Sequence, residues 1–186
     1  MSPLLNMEAV SCAPKLRVLV LSEIDDWDFG RQLKAYGHEI VAWARPRWKR
    51  SSTCSDLCYA VRSIIRAILC RPKPMRTIQA RFNSWKWLDR EKIPRITSPN
   101  VNSSNFNEYV KGLNVDLIVV YYFPQILKTA LLQTPRLGVL NCHPSLLPRY
   151  GGPDPAFWMI KNGESVAGIT IHVMTEKIDA GDIVAQ

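Results

Sequence analysis

The sequence has no long apolar run. Nothing in its 186 residues approaches the roughly 18 consecutive apolar positions that cross a bilayer, so no transmembrane segment is expected. The first fourteen residues carry neither a basic leader nor an apolar core, and are read as a flexible tail, 1–14, instead of a signal peptide. Cysteine is present but without pattern. Cys12, Cys54, Cys58, Cys70 and Cys142 make an odd five, which fits no disulfide framework. Cys54 and Cys58 are followed by no second Cys or His pair at zinc distance, so no metal site is expected. Reduced thiols point to a cytoplasmic protein. Also missing are a GxGxxG after the first strand, a GxSxG elbow and a CxxC pair. Where a phosphate-binding loop would stand, Ser22-Glu-Ile-Asp-Asp26 puts negative charge at a helix start and disfavours a bound phosphate there.

What is present suits one globular domain, 15–186, long enough for a sizeable core. Residues 16–21 form a nearly continuous apolar, β-rich run of the kind buried in a parallel sheet. Trp27, Phe29, Leu33 and Tyr36 follow at helical spacing, with Gly37 placed to stop the helix, and 38–43 make a second strand. Strand, helix and strand in so short a span imply a βαβ unit and an α/β fold with an open, mostly parallel sheet. Further strands are expected near 94–97, 115–122, 137–140, 168–174 and 183–186, with helices over 124–133 and 156–162. A polar linker is expected over 98–107, and His38 is read as structural.

The net charge of +8 is localised. Residues 45–95 hold 14 Lys and Arg against 3 Asp and Glu, an excess of +11, while the remainder sums to −3. Ser55 or Asp56 would cap a helix whose apolar face is Leu57, Val61, Ile64, Ile65 and Ile68. Basic residues interleaved with Trp85 and Trp87 suit phosphate attraction and base stacking, but a solvated basic face or an anionic membrane contact gives the same composition.

The chemistry concentrates in 138–155, where a short strand delivers Asn141 and His143 into a loop rich in proline. Residues i and i+2 of a strand point the same way, so an amide donor and an acid/base would project together. An ordinary polar strand exit would look the same. Cys142 between them should face the other side and is not taken as a nucleophile. Asp179, in the turn 176–182, could join the pair at the carboxyl edge of the sheet, where ligands of open parallel sheets collect. An Asn, a His and an Asp there supply an oxyanion donor, a proton-transfer group and a partner for the imidazole.

Asn141-x-His143-Pro-Ser-Leu-Leu-Pro148-x-Tyr-x-Gly152, followed by Ile178-Asp179-x-Gly-Asp-Ile-Val, resembles the signature of the folate-dependent formyltransferases. Among these it is most similar to the catalytic domain of the methionyl-tRNA formyltransferases. The likeness is good over 115–186 and one of pattern only over the first 45 residues. It implies a Rossmann-like formyltransferase fold and 10-formyltetrahydrofolate as co-substrate, with a substrate amine attacking the formyl carbon directly. Asn141 would stabilise the oxyanion, His143 would assist the charge and move the proton, and Asp179 would interact with His143. The folate would lie beside Ser145, Leu146, Leu147 and Pro148, against Gln125, Ile126 and Leu127 and the stretch Glu176, Lys177, Ile178. His172 falls inside a strand and is expected to be structural. The missing glycine-rich phosphate loop argues against a phosphorylated glycinamide as acceptor. An aminoacyl-tRNA, drawn by the basic 45–95 segment, and an amino sugar on a nucleotide remain the expected acceptors. Hydrolysis of the same folate, or folate binding without catalysis, stand as alternatives. The C-terminal domain of those relatives is not found in this sequence, and the catalytic domain is read as cut short after Gln186, as in a fragment, a truncated gene product or a divergent relative.

Overall fold

The computed structural model describes residues 14–23, 27–47 and 86–186. The tail and the amphipathic basic helix expected around 55–68 lie outside the described residues. Seven strands make one sheet: β1 (Arg17–Ser22), β2 (Glu39–Pro46), β3 (Arg95–Ser98), β4 (Leu117–Tyr121), β5 (Val139–His143), β6 (Thr170–Val173) and β7 (Ile183–Ala185). Their order is β3-β2-β1-β4-β5-β6-β7. The first five run parallel, so their carboxyl ends share one edge; β6 returns antiparallel on β5, and β7 antiparallel on β6. This is the α/β fold with an open, mostly parallel sheet expected from the sequence.

The unbroken apolar run of β1 is explained by its central place. Leu19 and Leu21 face one cluster with Val41, Phe106, Val110, Ile118 and Leu131, while Val18 and Val20 face another with Ile40, Trp43, Trp87 and Leu88. Helix α1 (Trp27–Ala35) packs Phe29 and Leu33 on the second face. It ends in a Schellman motif: Gly37, at φ +84°, donates its N–H to Lys34, and His38 donates to Leu33. No helix among the described residues is long and apolar enough to cross a membrane.

Two expectations need correction. The polar linker of 98–107 runs into helix α2 (Ser104–Gly112). Its Asn- and Ser-rich start contains the N-cap, because Ser103 Oγ accepts the N–H of Phe106, and Phe106 and Val110 then bury one turn apart. The helix expected over 124–133 shrinks to α3 (Thr129–Leu132). Gln125 is engaged elsewhere, accepting from the N–H of Val101 and donating to the carbonyl of Pro99, so 124–128 stays a loop. The last helix, α4 (Pro155–Lys161), begins on Pro155, whose fixed φ suits a first helical position.

Candidate active site

A cleft of about 730 Å³ opens over the carboxyl ends of β4 and β5. Strand alternation brings Asn141 and His143 to it from β5, and antiparallel pairing sets His172 of β6 directly opposite Asn141. Asp179 reaches in from the turn between β6 and β7. That turn is tight: at Gly181 a Cβ would stand 1.7 Å from the carbonyl oxygen of Val173, so no larger residue fits there. Glu176, at the start of the turn, accepts from the N–H and Oγ1 of Thr129, which ties the turn to α3. Those bonds hold the Glu176 carboxyl below the usual carboxylate range.

Four polar side chains converge. Asp179 Oδ2 lies 3.5 Å from His143 Nδ1, and its Oδ1 lies 3.5 Å from His172 Nε2. Oδ2 also accepts the Gly152 N–H at 2.7 Å. The amide nitrogen of Asn141 stands 3.1 Å from His172 Nε2 and 3.4 Å from Asp179 Oδ1. A carboxylate only accepts, so the amide nitrogen, not its oxygen, must face Asp179. Each histidine also has a backbone carbonyl on its other side. His143 Nε2 is 2.9 Å from the carbonyl of Tyr150, and His172 Nδ1 is 3.1 Å from that of Val173. A carbonyl oxygen only accepts, and so does a carboxylate, so each ring stands between two acceptors and donates to both when protonated. Asp179 thus stands between two imidazoles, either of which, when protonated, makes a charge-assisted hydrogen bond to it. His143 and His172 are buried, so the exchange is shielded from bulk water. Asp179, Tyr122 and Asp154 hold φ near +50°, in the left-handed region, all three on the cleft lining. Non-glycine residues rarely adopt it and cluster at functional sites when they do.

The expected residues divide. Asn141, His143 and Asp179 meet, and Gln125, Ile126, Glu176, Lys177 and Ile178 line the same cleft. Leu127, Ser145 and Leu147 are buried away from that lining, and Leu146 and Pro148 are also absent from it. Leu127 belongs to the core beside Leu131. Ser145 donates to the carbonyl of Arg149, and Leu147 donates its N–H to Thr170 Oγ1, so this loop braces the site from behind. His172 is the group missed: it does lie in the sheet, but its ring faces the site. Its signal was the strand register that sets it against Asn141, which is a tertiary fact. Cys142 packs against the cluster of Val18, Val20 and Val119, as alternation requires, and burial raises its thiol pKa. Among the described residues no His/Cys/Asp/Glu group is arranged to hold a metal.

A family model described as formyl transferase matches 65–186. The methionyl-tRNA formyltransferase of Syntrophus aciditrophicus is 44% identical over 95 residues, 51% of this chain and 30% of that protein. The bifunctional polymyxin resistance protein ArnA of Wigglesworthia glossinidia brevipalpis is 41% identical over 97 residues, 52% of this chain and 15% of that one. The chain thus spans less than a third of the length of these curated relatives. A phosphoribosylglycinamide formyltransferase structure from Anaplasma phagocytophilum superposes with a TM-score of 0.64 at 18% identity, over 92% of this chain and 70% of that one, a likeness of fold. The family match takes in every group that lines the cleft except Glu23, and so the chain belongs to the formyl transferase family.

Proposed function

We propose that the cleft transfers a formyl group from 10-formyltetrahydrofolate to an amine, and that the amine belongs to an aminoacyl-tRNA of the methionyl type. The observation that carries the chemistry is the Asp179 carboxylate held 3.5 Å from Nδ1 of His143, with the Asn141 amide beside it. Direct transfer makes three demands. A nitrogen must lose a proton as it bonds to the formyl carbon, the formyl oxygen must be stabilised as it gains charge, and the departing nitrogen must be protonated. His143 and Asp179 stand together as the acid/base pair beside the reacting amine. His143 takes the proton as the new bond forms, the imidazolium is held by Asp179, and the same proton is available to the departing nitrogen. The Asn141 hydrogen aimed at Asp179 across a long 3.4 Å is the one that turns to the formyl oxygen. For the folate itself, the volume fits a ligand of that size, and Ile126, Phe123, Met174 and Ile178 give an apolar lining with few polar anchors.

The acceptor reading is supported by the relative from Syntrophus aciditrophicus and by the +11 charge of residues 45–95, which suits a polyanion. The test supplies the folate with and without methionyl-tRNA and follows formate and formylated product. Formylated methionyl-tRNA, with apparent affinity falling steeply as salt rises, is expected. Formate released at the turnover rate without any acceptor would overturn transfer in favour of hydrolysis. Product from a small uncharged-backbone amine but none from tRNA would overturn the acceptor.

A further inference from the structure

One wall of the cleft is not taken up by the residues expected to hold the folate. Of those, Gln125, Ile126 and 176–178 reach the cleft, whereas Asp154, Phe157 and Ile160 enter it from the start of α4. This second wall adjoins the reacting centre. The Gly152 N–H is bonded to Asp179 Oδ2 at 2.7 Å, and a Cβ on Gly151 would stand 3.7 Å from the Asp179 Cβ. Two residues of chain span at most about 7 Å, so Asp154 stays close to that bond. Asp154 holds the N-cap position of α4 without capping it. An N-cap aspartate ordinarily has extended backbone and gives its carboxylate to the N–H groups of the first turn. Here φ is +54°, in the left-handed region, and only the main-chain carbonyl serves the helix, accepting from Phe157 at 3.0 Å and Trp158 at 3.4 Å. The carboxylate is left to the cleft. The helix itself buries Pro155 and Met159, which spends its packing face. Phe157 and Ile160, three residues apart and so on one face, remain 58% and 79% exposed while lining the cleft. Trp158 meets the Phe157 ring edge-on at 5.3 Å, and Lys161 Nζ lies 4.8 Å over the indole. The result is an apolar shelf with a carboxylate at its inner end, not scattered exposure.

We propose that Asp154, Phe157 and Ile160 form the acceptor subsite and select a primary amine bearing an unbranched apolar side chain. This assignment rests on the proposed transfer reaction, in which the wall the folate leaves open falls to the other reactant. The arriving ammonium donates to Asp154, next to the centre where it must lose a proton before the nitrogen attacks. The side chain on the carbon beside that nitrogen lies along Phe157 and Ile160 and is removed from water there. An aminoacyl ester of the methionine type meets both demands. An amino sugar does not, because hydroxyl groups flank its amine. Against a phenyl ring and an isoleucine those hydroxyls would give up water without gaining a partner.

Titration with amines, followed through the ¹⁵N–H resonance of the Trp158 indole, tests the subsite without any turnover. Affinity is expected to rise about two- to fourfold with each methylene from glycinamide to norleucinamide, with methioninamide close to norleucinamide. Phe157→Ala and Ile160→Ala are each expected to flatten that series, and because both side chains are exposed the chain should stay folded. Asp154→Asn is expected to weaken every amide by about two- to fivefold and to leave N-acetylnorleucinamide, which has no charged amine, unchanged. Equal affinity for glycinamide and norleucinamide, absence of amide binding, or tighter binding of glucosamine than of norleucinamide overturns the proposal. So does a steep series that persists in both alanine variants, or an Asp154→Asn chain with undiminished affinity. A chain that shows the length dependence but formylates nothing refutes the transfer reading alone.

Discussion

Asp179 is where one carboxylate serves several partners: two imidazoles, the Asn141 amide and the Gly152 N–H. Removing it leaves Asn141 without one of its acceptors and His143 without a counter-charge. Asp179→Ala is expected to lower the transfer rate on the order of a hundredfold or more, with an unchanged circular dichroism spectrum. Cys142, one residue from both catalytic candidates, is expected to be chemically quiet. Burial disfavours its thiolate, so alkylation by iodoacetamide at pH 7.5 should be slower than for a model thiol and should accelerate only at higher pH than usual. Fast labelling with matching loss of activity would contradict this. The Asn141–His143 pair was legible because strand period alone places i and i+2 together. His172 was not, because its approach to Asn141 depends on the antiparallel register of two strands, 31 residues apart. Sequence reasoning could count alternation along β6, but not which residue of β5 stood opposite.

At the scale of elements, boundaries were harder to read than existence. β1 and β4 stand out as apolar runs because both faces of each are covered. Helix α2 hid inside a polar stretch whose Asn and Ser residues signal loops and helix starts alike. What distinguishes the two is the bond from Phe106 to Ser103, 3.3 Å long. Ser103→Ala should destabilise the chain by about 1 kcal/mol in urea unfolding, with the m-value unchanged. α3 erred the other way, since the Gln125 amide is spent on Val101 and Pro99. That choice keeps 124–126 along the cleft wall, so a loss of regular structure there builds the site.

Across the described residues, surface carboxylates contribute to acid sensitivity. Glu91, Asp116, Glu164 and Glu176 are held below their ordinary values by hydrogen bonds from Lys34, the Arg17 N–H, Tyr150 and Thr129 respectively. A carboxylate depressed in the folded state binds protons first when unfolded. Its stabilising contribution is therefore complete above the ordinary value and drains away as pH falls through the lower folded one. The thermal midpoint should be insensitive to these groups between pH 7 and about 5, then fall below about pH 4, with Asp116→Asn showing a shallower fall. A midpoint that rises on acidification over that range would contradict the sign. The turn from parallel to antiparallel pairing at β5 and β6 carries one last consequence. Half of the converging groups belong to the sheet's interior and half to a hairpin whose outer strand, β7, is exposed along its length. Edge hairpins open locally more readily than central strands. A ligand seated in the cleft would then close that opening, so amide exchange along β6 should slow on binding by the same free energy that hairpin order contributes to affinity. Occupancy and the integrity of the sheet's edge become a single equilibrium.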